Sequence, residues 1–597
     1  MPCVDSLWEK CTWELEFIVP KSLQQESHGV DGLDIGEDDP MEDLEHPTVV
    51  ICSGDLVDHV CDHECANNGR TYVYLQVAHP FNSSKTIFLF TQAVTTSVQH
   101  IAFAAGPFRV MQLPLTESDD PASQTPMHAF CLPDHESFLS PSVSFLRTAM
   151  NFFTTEFGSY PFGSHKVIFV DEMPTQRFDA ATLSLVHINH MHGEDAIDQV
   201  FETRHTLSHA LACQWVGINI QQKAWSDTWL INGLGLYITG LFIRRLMGNN
   251  EYRFRLKKDM ERVTERDVGL MPPLCQPGLY EPPDSSVLPF LNLKAPLVLH
   301  ILDRRLAKSG TSHGLSRILP KVFLSAISGE LPNNALSTHS FLRTCRKVSG
   351  VDPRSFAEQW IYGSGCPRFG FGAQFNRKKM VVEITMRQES PAYRANESDP
   401  VKLALLKPVQ VFEGPMTVRI HEADGTPYEH VLDIRAPFKR YEVPFNTKYK
   451  RVRRNTKRFI ARQQAAIAAA QGDTEAKEAM GMIDMGFGLD VWEQETEREN
   501  WKVADWTEED EQTMAGATYE WIRMDADFEW ISFLHFDQPD FMWVSQLTRD
   551  RDVVAQLEVG TALVGHCLDC SLRDRPCMHW RGSLRQSCPA RSQRPFS

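Results

Sequence analysis

The sequence lacks long hydrophobic runs and a secretory leader. It contains no stretch of about 18 apolar residues, so we predict that no helix spans a membrane. Its opening segment, MPCVDSLWEKCTWELEF, has no basic region followed by an apolar one, which argues against secretion. The 14 cysteines are scattered without the spacing of a disulfide framework and are typical of reduced thiols. These absences predict an intracellular protein of the cytosol or the nucleus.

The sequence also has fewer basic than acidic residues. The chain has 60 Lys+Arg against 77 Asp+Glu, which gives a formal net charge of −17. Surfaces that bind nucleic acid need dense Lys and Arg, so we expect at most a local basic patch rather than a dominant surface of that kind. The 42% hydrophobic and 23% charged content is that of a globular chain, and its length corresponds to roughly four domains of about 150 residues.

Hydrophobic periodicity predicts a β region, then a helical region, then β structure again. Alternation of apolar and polar residues over 11–17 indicates a half-buried strand near the amino terminus. Spacings of three and four residues predict three helices: Val143–Phe157, Ile197–Val216 and Leu293–Lys308. Runs rich in β-branched and aromatic residues predict further strands: Arg70–Val77, Lys85–Phe90, Met380–Arg387, Val409–Phe412 and Met416–His421.

These patterns predict an α+β chain of four parts. Residues 1–114 form an N-terminal β domain whose loop 24–46 holds nine acidic residues and no Lys or Arg. Residues 115–370 form a helical domain. A β-sandwich at 371–543 follows, with a charged insertion at about 448–515. Residues 544–597 begin a helical repeat and end in an atypical tail.

One stretch, His209–Tyr237 (HALACQWVGINIQQKAWSDTWLINGLGLY), resembles the zinc-site surroundings of the M1 aminopeptidases. Zinc peptidases of this type place two histidines four residues apart on one helix, with a glutamate directly after the first as general base. A second glutamate, from the next helix, completes the ligand set. The strings QWVG and WSDTWLING are similar to QWFG and WWNDLWLNEG in that family.

The residues that carry the chemistry differ from the family. Anchoring on Gln214 places the family pattern on His209, Ala210, Cys213 and Asn232, and the family's eighteen-residue gap between the last two is kept. Ala210 cannot take a proton from water, and loss of a general base alone removes roughly 10²–10⁴ in rate. Cys213 is a changed ligand, and the neutral amide of Asn232 is a poor one. We therefore predict little bound zinc.

Two other parts of the M1 active site are missing as well. Family members carry a Gly-x-Met-Glu-Asn string that anchors the substrate amine, and the matching segment Phe169–His187 lacks it. The family's tyrosine, which donates to the developing oxyanion, falls on Asn292, and oxyanion donors contribute several kcal/mol. The joint loss of base, ligands, amine anchor and oxyanion donor predicts a pseudoenzyme with no catalytic residue, no metal and no cofactor.

Other arrangements of metal-ligand residues remain as alternatives. His205, His209 and Cys213 lie at i, i+4 and i+8 and could hold a metal in a shifted register, although a carboxylate to activate water would still need a source. The cluster at 59–65 (HVCDHEC) and the pattern Cys567–His579 also imitate zinc-ligand spacing. We predict a cysteine-rich loop for the first and a chain end of unrelated origin for the second.

Three segments outside the degenerate helix carry a closer resemblance. The strings are HIAFAAGPF (His100–Phe108), YEWIRMDADFEWI (Tyr519–Ile531) and QPDFMWVSQLTRDRDVVAQLE (Gln538–Glu558). Together with the M1 pattern that has lost its catalytic residues, these three strings resemble the TFIID subunit 2 family. That family is the M1-aminopeptidase-like branch of the TBP-associated factors. The resemblance runs from about residue 1 to Glu558, with Tyr519–Glu558 its most specific part. It implies an N-terminal β domain, a thermolysin-like helical domain, a β-sandwich and the start of a helical repeat.

The resemblance also implies a function. Members of this family are non-catalytic scaffolds of the general transcription factor TFIID in the nucleus, where they support RNA polymerase II preinitiation complex assembly. The implied partners are other TBP-associated factors, TBP, and core-promoter DNA around the initiator, with no membrane and no small-molecule substrate. The sequence departs from the family in a shortened N-terminal β domain and in lacking the long helical C-terminal region. The alternatives are a zinc-dependent M1-type aminopeptidase with non-standard ligands and a pseudopeptidase module of another complex.

Positive charge is concentrated locally in a basic run at 448–458 (KYKRVRRNTKR), where seven of eleven residues are Lys or Arg. It could direct nuclear import or touch a phosphate backbone, or it could be a solvated face balanced by the acidic segment after it. Because it contains no base-reading motif, any contact with DNA would be sequence-tolerant. Its basic residues are Lys448, Lys450, Arg451, Arg453, Arg454, Lys457 and Arg458.

Overall fold

A computed structural model describes residues 3–23, 46–57, 77–78, 81–115, 124–309, 314–391, 399–422, 427–445, 519–550 and 552–572. Several predictions lie outside these residues: nearly all of the acidic loop 24–46 and of the strand Arg70–Val77, the cluster at 59–65, the basic run with the rest of the charged insertion, and the tail from residue 573. In the described part of the chain, no helix is both long and apolar enough to cross a bilayer.

The chain divides into two compact units. The first comprises Met1–Tyr252 with Pro272–Gly363, and the second comprises Arg253–Met271 with Ser364–Ser597. The predicted N-terminal β part and most of the predicted helical part fall in the first unit, whereas residues 253–271 and 364–370 of the helical part fall in the second unit with the predicted sandwich and terminal helices.

The first unit begins with a small antiparallel sheet built around one long strand. That strand, β7, pairs antiparallel with β1, β5 and β6, and separate pairs join β4 to β8 and β2 to β3. Phe88 and Phe90 lie two residues apart on the same face of β7, and both are buried against Val50 and Cys52. The strands are β1 (Cys11–Pro20), β2 (Ser22–Leu23), β3 (His46–Pro47), β4 (Val49–Cys52), β5 (Asp55–Leu56), β6 (Val77–Ala78), β7 (Lys85–Thr96) and β8 (Phe103–Gly106).

A five-stranded mixed sheet follows in the same unit. Its order is β12-β13-β11-β10-β9, with β11 parallel to both neighbours and an antiparallel strand at each edge. Phe130, Ile168 and Leu183 form its buried face. The strands are β9 (Arg109–Gln112), β10 (Met127–Cys131), β11 (His165–Val170), β12 (Arg177–Ala180) and β13 (Leu183–His187). Alternate residues of the edge strand β12 lie on one side of the sheet, and this places Arg177 and Asp179 together.

Helices complete the first unit. Trp215 at the end of α3 and Trp229 at the start of α4 are fully buried, and α4 packs against both α3 and α6. The helices are α1 (Glu136–Val143), α2 (Leu146–Phe157), α3 (Asp198–Trp215), α4 (Thr228–Met247), α5 (Asn249–Arg266), in which the division between the units falls, α6 (Leu288–Ala307), α7 (Leu315–Ile327), α8 (Thr338–Ser349) and α9 (Arg354–Trp360). A short parallel pair joins β14 (Gln221–Gln222) to β15 (Ala335–Leu336).

The second unit contains two sheets, of order β20-β17-β16-β22 and β19-β18-β21. Alternate residues of β17 (Ile384, Met386) and of β18 (Val418, Ile420) are buried, the pattern of strands with one face in a core. The elements are β16 (Arg368–Asn376), β17 (Val381–Glu389), α10 (Pro400–Leu406), β18 (Gly414–Glu422), β19 (Pro427–Ile434), β20 (Phe438–Pro444), β21 (Tyr519–Met524), β22 (Phe533–Asp537), α11 (Asp540–Arg549) and α12 (Val553–Leu572).

One predicted strand of this unit was wrong. Val409–Phe412 forms no strand. The Val409 N–H donates to the Ser364 carbonyl next to an isolated bridge, and the other bonds of this segment described here go to side chains rather than to a neighbouring strand. The amide N–H of Phe412 donates to Gln388 Oε1 at 2.7 Å, and Gln388 Nε2 donates to the Phe412 carbonyl at 3.0 Å. Ser390 Oγ likewise donates to the Val409 carbonyl.

A buried charge network joins β21 to the terminal helices within the second unit. The Arg523 side chain is only 1% exposed, and its Nη1 lies 2.9 Å from Asp552 and 3.6 Å from Asp550. Its Nε lies 3.2 Å from Glu558 in α12. The three carboxylates raise the pKa of Arg523, although burial alone would lower it, so the guanidinium keeps its charge. The segment with the most specific family resemblance therefore forms a fixed junction between sandwich and helices.

Candidate functional site

Helix α3 carries the residues of the predicted degenerate zinc site. His205, His209 and Cys213 follow one another at four-residue intervals on this helix, and the rings of His205 and His209 lie 6.3 Å apart. Ala210 is fully buried, in the position that carries the general base in the M1 pattern. Across from α3, helix α4 approaches closely at Gly235, where a Cβ atom would lie 3.4 Å from His209 Nε2.

An arginine from the sheet reaches into this site. Nη2 of Arg177 lies 2.9 Å from Asp179 Oδ2 and 3.0 Å from His209 Nδ1. The same nitrogen donates to Cys213 Sγ at 3.8 Å, while Nη1 donates to the Thr206 carbonyl at 3.0 Å. The Arg177 side chain is 18% exposed. A single guanidinium therefore bridges the edge strand β12 and the helix α3.

The surroundings keep His209 neutral. Burial lowers its pKa well below the usual value, and the positive charge of Arg177 and the neighbouring His205 lower the pKa further. Because Nδ1 accepts a hydrogen bond from Arg177, the ring proton is on Nε2. His209 thus acts as a hydrogen-bond acceptor for a cation.

Cys213 is held as a thiol. Burial raises its pKa to about 12, the Asp179 carboxylate adds to the shift, and Arg177 opposes it. Since the thiolate is the form that binds metals and attacks electrophiles, this side chain is poorly suited to either role at neutral pH.

The other two degenerate positions pair with each other. Asn232 on α4 donates from Nδ2 to Asn292 Oδ1 on α6 at 2.9 Å. Asn232 stands where the M1 pattern has its third ligand, and Asn292 stands where it has the oxyanion-donating tyrosine. Two neutral amides that satisfy one another supply neither a metal ligand nor an acidic hydroxyl.

The residues present do not fit a zinc ion. Zinc needs deprotonated ligands at about 2.0–2.3 Å, whereas Asp179 and His209 lie 2.9 and 3.0 Å from a nitrogen that already donates to them. Over the described ranges, no group of three or more His, Cys, Asp and Glu side chains is arranged to hold a metal. We therefore assign no catalytic step to a metal here.

Sequence reasoning missed Arg177 and Asp179. Both lie in Phe169–His187, a segment in which the sequence pattern indicates only the missing amine anchor. Their i, i+2 spacing indicates a shared face of a strand, but only the order of strands in the sheet shows that this face meets α3. Among the other predicted residues, Lys448–Arg458 and the cluster at 59–65 fall outside the described residues. The pattern Cys567–His579 begins in α12 and continues beyond them.

Comparison with known proteins confirms the predicted family and fold class. A family model described as the TAF2 Ig-like domain matches residues 364–539. The chain is similar to TFIID subunit 2 of Schizosaccharomyces pombe, with 41% identity over 94% of this chain and 49% of the relative. For the same subunit the identity is 30% in Saccharomyces cerevisiae (94% and 47% covered) and 27% in Drosophila melanogaster (94% and 40%).

The fold is that of an aminopeptidase. A crystal structure of Legionella pneumophila aminopeptidase A in complex with aspartic acid matches 96% of this chain and 50% of its own, with a TM-score of 0.62 at 12% identity. At that identity the match establishes the α+β multidomain fold alone. The chain spans about half the length of the curated relatives it matches. The identities across these relatives and the matched Ig-like domain place the chain in the TFIID subunit 2 family.

Proposed function

We propose that this chain is a non-catalytic scaffold segment of the general transcription factor TFIID. It acts in the nucleus, supports assembly of the RNA polymerase II preinitiation complex, and binds other TBP-associated factors and TBP. The observation that carries the proposal is the 41% identity to a protein named transcription initiation factor TFIID subunit 2 over 94% of the chain. A general role in transcription initiation follows from that likeness, and the finer partners are part of the proposal.

The rebuilt site supports a non-catalytic role. A peptidase needs a base to activate water and a cation to polarise the substrate carbonyl. Here Ala210 replaces the base, and the guanidinium of Arg177 is hydrogen-bonded to His209 and Cys213, two of the positions that carry zinc ligands in the M1 pattern. The pairing of Asn232 with Asn292 leaves no acidic donor for an oxyanion at that place. For the alternative of an active aminopeptidase, Ala210 cannot perform the proton transfer that the glutamate of the M1 pattern performs.

The junction in the second unit supports a scaffold role. A scaffold must hold its parts in one fixed arrangement, and buried charge networks can specify such an arrangement. Arg523 in β21 contacts carboxylates before and within α12. These directional bonds fix the orientation of α12 relative to β21. We propose that this junction orients the helical region with which longer family members continue.

Contact with core-promoter DNA is the least specific part of the proposal. A chain with a net charge of −17 repels DNA overall, so contact requires a local concentration of positive charge. The basic run at 448–458 is the candidate, and its contacts would be to phosphates and therefore sequence-tolerant.

Affinity capture with activity measurement tests the proposal. Tagged full-length chain is captured from nuclear extract, the co-purifying proteins are identified by mass spectrometry, and the eluate is assayed for hydrolysis of aminoacyl amides. We expect TBP-associated factors and no hydrolysis above that of a His209→Ala variant. Recovery without any TBP-associated factor would favour a pseudopeptidase module of another complex. Stoichiometric zinc with turnover that His209→Ala abolishes would favour the aminopeptidase alternative.

A further inference from the structure

Two neighbouring helices of the first unit carry positive charge without negative charge beside it. α7 and α8 pack against each other, and together they contain five Lys and Arg residues and no Asp or Glu. The chain as a whole has more acidic than basic residues, so its composition does not account for this concentration. Arg317 and Lys321 on α7 and Arg343 and Lys347 on α8 are exposed. We call these four residues the basic face.

The charges of the basic face are not neutralised by the described residues. No described carboxylate forms an ion pair with its four side chains, whereas the neighbouring Arg346 lies 4.0 Å from Asp352. Helix α5 shows the usual arrangement, in which Lys258 pairs with Glu261 one turn further along. Exposed helices of soluble proteins commonly mix both signs in this way, and α7 and α8 do not.

Local helix stability does not explain the basic face. Each helix places two like charges four residues apart, Arg317 with Lys321 and Arg343 with Lys347, and such pairs destabilise a helix. Arg317 also lies in the first turn of α7, where the helix dipole favours a negative charge. Lys347 gains from its place in the last turn of α8, which accounts for only part of the face. The arrangement therefore indicates a role outside folding.

Exposed apolar side chains continue the same surface of α7. Leu324 is 63% exposed and lies one turn beyond Lys321, and Ile327 is 48% exposed. A nucleic-acid backbone would leave these two side chains uncovered, because charged and polar groups make the contacts to phosphate and sugar. Protein interfaces, in contrast, combine arginine with apolar side chains. The surface therefore favours a protein segment over DNA.

We propose that the basic face, together with Leu324 and Ile327, binds an acidic segment of a partner protein that carries apolar side chains at helical spacing. Its carboxylates pair with Arg317, Lys321 and Arg343, and its apolar side chains cover Leu324. With 13 residues, α7 is about 20 Å long, which matches a peptide of about four helical turns. The inference goes beyond the proposed function, because it rests on a surface of the first unit and not on membership of TFIID.

Fluorescence anisotropy with the full chain tests this proposal. The probe is a labelled peptide about four helical turns long, composed of Glu with Leu at three- and four-residue spacing. The triple variant Arg317→Gln/Lys321→Gln/Arg343→Gln should bind it at least about tenfold more weakly, because three exposed ion pairs of up to about fivefold each are lost. Leu324→Asn should weaken binding about threefold, because the apolar contact is lost.

The matched control removes three exposed charges from the turn between β16 and β17. Arg377→Gln/Lys378→Gln/Lys379→Gln changes the net charge of the chain by the same amount, and we expect its affinity to stay within about twofold. The basic run at 448–458 also attracts acidic peptides, so the decisive quantity is the difference between the two triple variants. Equal weakening in both would show non-specific attraction and overturn the proposal, as would an unchanged affinity in Leu324→Asn.

Two further probes separate an acidic peptide from other ligands. The same peptide with Gln in place of Glu should not bind, and equal binding of that peptide overturns the proposal. A short DNA duplex is titrated in the same buffer. If the triple variant of the basic face loses more affinity for the duplex than for the peptide, the surface binds nucleic acid and the proposal is wrong. Absence of peptide binding to the unsubstituted chain also overturns it.

Photo-cross-linking covers the case in which the triple variant does not fold. The probe, with a benzophenone side chain in place of one Leu, is cross-linked to the unsubstituted chain, and mass spectrometry locates the new bond. Cross-links within α7 or α8 support the proposal, and cross-links confined to other elements overturn it. Because this readout does not involve nuclear extract, its failure is distinguishable from failure of the proposed function.

Discussion

Replacing Arg523 by methionine should loosen the junction between β21 and the terminal helices. The substitution keeps most of the aliphatic volume but removes the charge that contacts Asp550, Asp552 and Glu558. Removing one partner of a buried ion pair costs about 3–5 kcal/mol, because the other charge remains buried and unpaired. Asp552 keeps its bond to Arg253 Nη2 at 2.5 Å, so we expect the lower end, about 3 kcal/mol.

Hydrogen exchange is the suitable assay, since a chain of two units has no single unfolding free energy. The expected loss corresponds to exchange more than a hundredfold faster in β21 and the first turns of α12, at about 1.4 kcal/mol per tenfold. Arg549→Met is the matched control in the same unit. Arg549 pairs with Glu520 but is 53% exposed, and surface pairs contribute about 0–1 kcal/mol. Equal acceleration in the two variants would refute the view that Arg523 holds the junction.

Three further predictions concern acid stability, packing and DNA. Burial, and then Lys166, lowers the pKa of His165 to about 3, so its stabilisation is present above pH 6.5 and lost as pH falls toward 3. In the thermal transition of the first unit, His165 should contribute a loss of about 2 kcal/mol between pH 7 and 5, and His165→Asn should reduce the total loss by about that amount. A Cβ at Gly233 would lie 2.8 Å from Ala295 Cβ, so Gly233→Ala should lower the stability of the first unit by about 1–3 kcal/mol. Gly560→Ala, which meets nothing within 4 Å, is its control in melts. Changing the basic run to glutamine should reduce the slope of log affinity for DNA against log salt by about 0.9 for each phosphate that the run no longer neutralises. An unchanged slope would place any DNA contact elsewhere.

Local patterns predicted much of the fold where one physical signal dominates. The alternation along residues 11–17 corresponds to β1, and the run at 85–90, rich in β-branched and aromatic residues, corresponds to the first half of β7. The three- and four-residue spacing of Ile197–Val216 corresponds to α3 within one residue at each end. The predicted helix Leu293–Lys308 begins five residues earlier in the structure, at Leu288. Pro289 lies in its first turn, where the missing N–H of proline costs no hydrogen bond within the helix.

The same patterns failed where side chains replace backbone partners. Val409–Phe412 has the composition of a strand, yet the amide of Gln388 bonds to its backbone and no ladder forms. Hydrophobic periodicity contains no information about such a side chain, which lies more than twenty residues away in the sequence.

The sequence predicts which positions of the M1 site are altered, but it does not predict the contacts that their side chains make. Spacing around Gln214 predicts that His209, Ala210, Cys213 and Asn232 are former site positions, because the M1 pattern fixes their intervals. The contact of Arg177 with His209 could not be predicted, since Arg177 reaches α3 only through the position of β12 at the sheet edge. A cation contributed by another element leaves no motif in the sequence.

Anomalous diffraction from crystals of the unsubstituted chain grown with excess zinc tests the central claim most directly. We predict no anomalous peak between Asp179, His209 and Cys213, with the density of the Arg177 guanidinium in its place. A zinc peak there, with the arginine displaced, would contradict the account, because it would mean that these three side chains bind a metal in preference to the guanidinium.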